Sequence, residues 1–266
     1  MRLLPLFLVL ALLPAGGSAW SQESDDDLAT KLSNPVASLI SVPLQSNYDC
    51  CIGPANGSRV VVNLQPVVPF AISDHWNVIA RTILPLVQQS APVEGTGDHF
   101  GLGDTTQSFF FSPDAAPGDL IWAIGPAFLW PTSTDEVIGS HKWGAGPTAV
   151  LLQQTHGWTF GILANHIWSY SGQRDHPNVN STFLQPFVGY TWPDTTNLTF
   201  NTESNYDWQG QQWTVPLNLT LGHLYRFGAQ PINFTIGARY YATSPDGPQW
   251  GLRFVITLLF PKGGPS

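Results

Sequence analysis

Apolar and polar residues alternate along most of the chain with a period of two, the pattern of strands with one greasy and one wet face. Residues 197–208 set Leu198, Phe200, Thr202, Tyr206 and Trp208 against Asn197, Thr199, Asn201, Glu203, Asn205 and Asp207. Residues 232–242 repeat this, with Ile232, Phe234, Ile236, Ala238 and Tyr240 opposite Asn233, Thr235, Gly237, Arg239 and Tyr241. In 251–260, Leu252, Phe254, Ile256, Leu258 and Phe260 oppose Arg253 and Thr257, and 213–221 is similar. Less regular stretches lie at 36–46, 58–70, 76–88, 101–111, 120–130, 144–153, 158–168 and 179–192, and no amphipathic helix is read after Leu32. Each stretch is about ten residues, the length of a tilted strand crossing a membrane. The pattern predicts an all-β chain, an antiparallel transmembrane β-barrel of about 12 strands over residues 34–262, closed by the C-terminal strand. Pro43, Pro66, Pro85, Pro126, Pro147, Pro186 and Pro216 count against it, because proline removes a ladder donor. Strand ends and bulges accommodate only some of them.

Connection lengths support the barrel. With the N-terminus on the periplasmic side, the outer connections 47–57, 89–100, 131–143 and 170–178 are long. The periplasmic ones at 73–74, 112–118, 154–157, 193–195 and 224–229 are shorter. That asymmetry belongs to outer-membrane barrels, though it weakens at the short outer connections 209–212 and 243–249. Trp76, Trp122, Trp130, Trp158, Trp168, Trp192, Trp208, Trp213 and Trp250 fall at or near strand ends, where interfacial girdles form. The competing fold is a soluble, secreted, Trp-rich β-sandwich that binds carbohydrate. The polar strand faces, rich in Asn, Thr, Glu and Arg, favour the barrel.

Composition narrows the classes. A chain of 266 residues with 11% charged side chains and 43% hydrophobic ones has no series of helical membrane spans. The 11 Trp, 15 Phe and 7 Tyr exclude a disordered tail. With 18 acidic and 10 basic residues it is a poor nucleic-acid binder, so no nucleic-acid partner is expected. Arg2, the apolar run from Leu3 to Leu13 and the small residues through Ala19 read as a signal peptide over 1–19. Residues 20–33 then form a periplasmic N-terminal stretch, either a solvated tail or a plug, and 263–266 a C-terminal tail. The location that follows is the bacterial cell outer membrane, with its lipids and its barrel-assembly machinery as partners.

Chemistry is sparse. Cys50 and Cys51 are adjacent, a spacing that rarely bridges, and read as incidental thiols in a turn. The histidines at 75, 99, 141, 156, 166, 176 and 223 are scattered, so no metal site and no cofactor is read from spacing. His166 with Ser169, and Asp98 with His99, raise a hydrolase as the sharp alternative. No G-x-S-x-G elbow accompanies them, and the chain is not read as an enzyme. Sequons beginning at Asn56, Asn180, Asn197, Asn218 and Asn233 are discounted, since three fall where strand alternation produces them. The candidate lumen-lining residues are the charges on polar strand faces: Arg59, Arg81, Glu203, Asp207, Arg239 and Arg253. They either select solutes in an open lumen or pair and plug it.

A resemblance adds to this reading. The run Asn34-Pro35-Val36-Ala37-Ser38-Leu39-Ile40-Ser41-Val42-Pro43, the tetrad Gly101-Leu102-Gly103-Asp104 and the run Trp143-Gly144-Ala145-Gly146-Pro147-Thr148 carry it. So do Ala164-Asn165-His166-Ile167-Trp168-Ser169, Asn201-Thr202-Glu203-Ser204 and the closing stretch 251–261. Together they resemble the MetA-pathway-of-phenol-degradation family of bacterial outer-membrane transporters, some of which carry the misleading label neuromedin U. The resemblance implies an outer-membrane barrel passing small-molecule cargo, hydrophobic or aromatic compounds among it, and brings no catalytic residues. The Cys50–Cys51 pair departs from the family pattern in the first loop.

Overall fold

The computed structural model describes residues 24–90, 97–113 and 120–261; the signal-peptide reading at 1–19 and the tail at 263–266 lie outside them. A helix, α1 (Asp25–Leu32), comes first. The strands β1 (Ile40–Ile52), β2 (Gly57–Leu64), β3 (Val67–Ser73), β4 (Trp76–Gln89), β5 (His99–Leu102) and β6 (Thr105–Pro113) follow. Next come β7 (Leu120–Trp130), β8 (Lys142–Thr155), β9 (Trp158–Gly172), β10 (Asn180–Thr191), β11 (Thr196–Thr202) and β12 (Ser204–Asp207). The chain ends with β13 (Gln212–Phe227), β14 (Gln230–Thr243) and β15 (Trp250–Phe260). Every pairing is antiparallel, and β1 pairs with β15 from Ile40↔Phe260 to Cys50↔Trp250, which closes the sheet. The pairs β2/β3, β5/β6 and β11/β12 are each one interrupted span, so the barrel has twelve.

Proline explains the interruptions. Pro66 sits in the gap between β2 and β3, and Pro216 at a bulge in the β13–β14 ladder. Continuing the β11–β13 register places Pro216 opposite Glu203, where the ladder breaks. Pro186 of β10 lies beside the same break. Pro43 and Pro85 keep a role as acceptors, taking Gln65 N–H at 2.9 Å and Gly103 N–H at 2.8 Å. Pro126 and Pro147 face each other across β7 and β8. Their preceding glycines let the neighbouring wall press in, since a Cβ on Gly125 would meet Phe109 O at 1.8 Å and one on Gly146 His166 O at 1.7 Å.

Alternation sorts the two faces. In β14, Ile236 and Tyr240 are each 63% exposed, whereas Asn233 and Arg239 are 6% and 8% exposed. Trp250, Leu252 and Phe254 of β15 face outward and Arg253 inward. An apolar exterior over a polar interior inverts a soluble fold, and suits hydrocarbon outside and a wet lumen inside. Aromatic pairs band both ends: Trp76–Trp122 and Trp158–Tyr190 at the end holding the chain termini, Trp130–Trp143, Tyr206–Trp213 and Tyr48–Trp250 at the other.

The first outer connection is shorter than its sequence suggested. β1 continues through Cys50 to Ile52, and the hairpin turns on residues 53–56 with Gly53 at φ 64° and Asn56 at φ 51°. Residues 47–52 are therefore wall. Both thiols are free, with Cys51 at a bulge.

The N-terminal stretch is folded into the barrel. Ser24 Oγ accepts Asp27 N–H at 3.2 Å, three aspartates fill the first turn and Lys31 the last, so both ends of α1 suit its dipole. Its Leu28 and Ala29 are fully buried against Leu224 and Leu259. Asp25 is ion-paired with Arg226 of β13, and Thr30 O accepts from Gln154 of β8 at 2.9 Å. β8 and β15 are the sixth and twelfth spans, diametrically opposed, so α1 bridges the termini-side mouth.

Candidate functional site

The interior is divided lengthwise. On one side, β1, β2 and β11 through β15 present charged and amide groups. Arg253 Nη1 and Nη2 donate to Glu203 Oε1 and Oε2 at 2.8 and 2.7 Å, a fork-to-fork pair, and Arg253 Nε donates to Asn47 Oδ1 at 2.7 Å. Arg239 reaches Asp49 Oδ1 at 3.1 Å, Asn218 Oδ1 at 3.0 Å and Glu203 Oε2 at 3.8 Å. Asp49 also accepts from Tyr241 Oη at 2.8 Å and from Arg59 Nη2 at 3.3 Å. Asn218 Nδ2 continues the chain to Asn201 Oδ1 at 2.8 Å. Two carboxylates thus share three guanidinium groups, with amides and a phenol completing the bonds. Buried charge is tolerable when it is paired and hydrogen-bonded in this way, and Arg59 Nε is the network atom left buried without a partner.

The opposite side is apolar. Ile79, Phe110, Ala123, Val150, Leu152 and Leu163 form a buried cluster with Val36 from the N-terminal stretch, and Val67, Phe183 and Phe187 pack on it. Residues after α1 thereby lie against the inner wall.

Between the charged network and the N-terminal stretch is a cavity of about 270 Å³. Its walls mix amide and hydroxyl groups, including Gln45, Gln185, Asn197, Asn201, Thr220 and Asn233, with apolar patches that include Val67, Phe187 and Val255. Arg81 and Lys31 are its charged lining residues, and no carboxylate is among them. Arg81 Nη2 donates to Gln65 Oε1 at 3.2 Å.

The six charges read from the sequence separate into three settings. Arg59, Glu203, Arg239 and Arg253 join one network, and Arg81 stands below it in the cavity wall. Asp207 stands apart at the outer end of β12, where its Oδ1 accepts Gln209 N–H at 2.9 Å and shapes the 208–211 turn. Asn47 and Asp49 are network members the sequence reading left in a loop. Their signal was alternation with outward Tyr48, masked by the two cysteines and the Gly-Pro-Ala-Asn-Gly turn that follow. Asn201, Asn218 and Tyr241 were visible as inner-face residues, but uncharged groups drew no attention.

His166, Ser169 and His99, which suggested hydrolysis, each meet a further partner. His166 Nδ1 lies 2.6 Å from Thr182 Oγ1, and Ser169 Oγ accepts Val179 N–H at 2.9 Å. His99 Nδ1 is 3.1 Å from an Asp135 carboxyl oxygen in the outer loop. That carboxyl titrates below the usual range, first because Val137 N–H donates to it and then because of His99.

Asp104 of the Gly-Leu-Gly-Asp tetrad anchors the 131–141 loop. Its carboxylate accepts Ser140 N–H and Ser140 Oγ–H, each at 2.6 Å, and Ser133 N–H at 3.3 Å.

Comparison with known proteins places the architecture. No family profile and no curated protein matches the chain. Among solved structures, a COG4313 outer membrane channel from Pseudomonas putida F1 superposes with a TM-score of 0.67 at 13% identity, covering 84% of this chain and 96% of that one. Outer membrane phospholipase A from Escherichia coli gives 0.46 at 12% identity over 88% and 98% of the two chains. A FadL homologue from Pseudomonas aeruginosa gives 0.41 at 11% identity over 85% and 92%. The first likeness establishes a shared fold. A closed twelve-span barrel with a lipid-facing apolar band and aromatic girdles is an outer-membrane β-barrel, and its place is the bacterial outer membrane.

Proposed function

We propose that the protein is a gated outer-membrane channel for small organic anions that carry an apolar or aromatic body. The carrying observation is the lumen cavity, whose charged lining residues are Arg81 and Lys31, with Phe187, Val67 and Val255 close by. The Arg81 guanidinium, with no carboxylate in the cavity lining, favours an anion in this confined space, and the apolar patches accept a hydrocarbon portion. At about 270 Å³ the cavity is below the usual range for drug-sized ligands, ~300–1,000 Å³. This agrees with the small hydrophobic or aromatic cargo that the MetA-pathway resemblance implies, and adds a charge to it.

Export through the 1–19 leader and insertion by the outer-membrane assembly machinery, reading the apolar face of β15, complete the proposed route to the membrane. The P. putida structure is described as a channel, which supports the same reading. The test is uptake by proteoliposomes of benzoate against benzamide, solutes alike in size. Benzoate is expected to enter several-fold faster, with Arg81→Gln removing most of the preference. Equal entry in both proteins would sink the anion assignment.

A further inference from the structure

The outer loops bring together three side chains that lie far apart in the sequence. One donor atom from each of Glu136, His141 and His176 lies within 4.8 Å of both others. Glu136 Oε2 is 3.4 Å from His176 Nε2 and 3.9 Å from His141 Nε2. The imidazoles meet edge to face with centroids 4.5 Å apart. Scattered histidines gave no metal spacing along the chain, because these ligands come from two connections, residues 131–141 and 173–179.

We propose that Glu136, His141 and His176 form a binding site for a borderline divalent transition metal of the zinc class at the extracellular rim. Two imidazole nitrogens and one carboxylate oxygen are the donor set such ions prefer over magnesium or calcium, which favour all-oxygen sites. Tetrahedral bonds of about 2.0–2.1 Å put ligand atoms about 3.4 Å apart. The Glu136 distances of 3.4 and 3.9 Å are already close to this, and the two imidazole nitrogens, within 4.8 Å of each other, need only close up to it.

The mounting is rigid where it needs to be. His141 is buried, with its backbone in the left-handed region at φ 52°, and its carbonyl accepts Gln173 N–H at 3.2 Å. Lys142 Nζ donates to Gln173 O, joining the two connections again beside the site. Asp104 holds the first connection from below. Glu136 is the exposed ligand, with 74% of its side chain accessible, so it has room to close over an ion.

Both Nε2 atoms now face backbone carbonyls, Asp135 O at 3.2 Å and Glu136 O at 3.1 Å. Metal binding at Nε2 puts the ring proton on Nδ1. Asp175 Oδ1 stands 3.4 Å from His176 Nδ1, ready to accept that proton as an outer-shell carboxylate. The fourth position is left to water. A bound ion ties the 131–141 loop to the 173–179 loop across the mouth.

The test is zinc titration of tag-free, detergent-solubilised full-length protein by competition with a chromophoric chelator, with cobalt as a spectroscopic stand-in. One zinc per chain is expected, with visible cobalt bands of tetrahedral intensity. His141→Ala and His176→Ala should each weaken zinc binding more than tenfold, and Asp175→Asn by about tenfold. His99→Ala, outside the donor set, should leave it unchanged. Heat-modifiable mobility confirms that each variant is a folded barrel, and His176→Gln, a loop substitution, serves if His141→Ala does not fold. No zinc binding by the folded wild type, or unaltered binding by folded His176→Ala and His176→Gln, overturns the proposal.

Discussion

Glu203 and Asp49 are the two carboxylates on which the interior network turns. Glu203 takes a bidentate fork from Arg253 and lies 3.8 Å from Arg239, in a setting where its own strand is interrupted opposite Pro216. Removing it leaves Arg253 almost buried with two donor groups facing nothing, whereas Arg239 keeps Asp49. We expect Glu203→Ala to lower urea stability in micelles by about 3–5 kcal/mol, and Glu203→Gln by less because the amide still accepts. Unfolding followed by tryptophan fluorescence would check this, and equal midpoints for all three proteins would contradict it. Four network arginine and glutamate positions could be read from strand alternation, since a charge on the wet face of a barrel strand points inward. Their mutual pairing could not, because Asn47 and Arg253 meet through the β1–β15 closure, 206 residues apart in sequence.

Strands were the most legible elements, and their ends the least. Period-two alternation survives a missing hydrogen bond, so the twelve spans could be counted while the splits of β2/β3, β5/β6 and β11/β12 could not. Proline was weighed as an objection to the sheet. In the fold it marks the places where the sheet is interrupted or bulged, at Pro66, Pro186 and Pro216. Loops depend on single side chains more than on pattern. Asp104 makes three hydrogen bonds to the 131–141 loop, and bonds to a charged acceptor are each worth about 1.5–3 kcal/mol. Asp104→Ala should therefore expose that loop to protease added outside intact cells, with cleavage at least about tenfold faster. Unchanged cleavage would show that the loop is held without it, by Thr132, bonded to Thr105 N–H and Gly103 O, and Thr134, bonded to Leu102 N–H.

At the scale of the molecule, a half-charged and half-apolar interior is crossed at one end by the chain's own N-terminal stretch. An eight-residue helix is marginal alone, so α1 holds its form through burial of Leu28 and Ala29 and its contacts to opposed walls. The sequence allowed either a solvated tail or a plug for this segment, since a short acidic stretch with one leucine-alanine pair serves equally well as either. In the fold it docks, through Leu224, Leu259 and the Asp25–Arg226 pair supplied by distant strands. In the proposed function this stretch gates an anion-preferring lumen. The most direct test is planar-bilayer conductance of the wild type beside Leu28→Asp, each confirmed as a heat-modifiable barrel. The account predicts a largely closed wild type and, in the variant, a marked rise in conductance with a reversal potential favouring anions. A folded Leu28→Asp barrel that conducts no more than the wild type would contradict it.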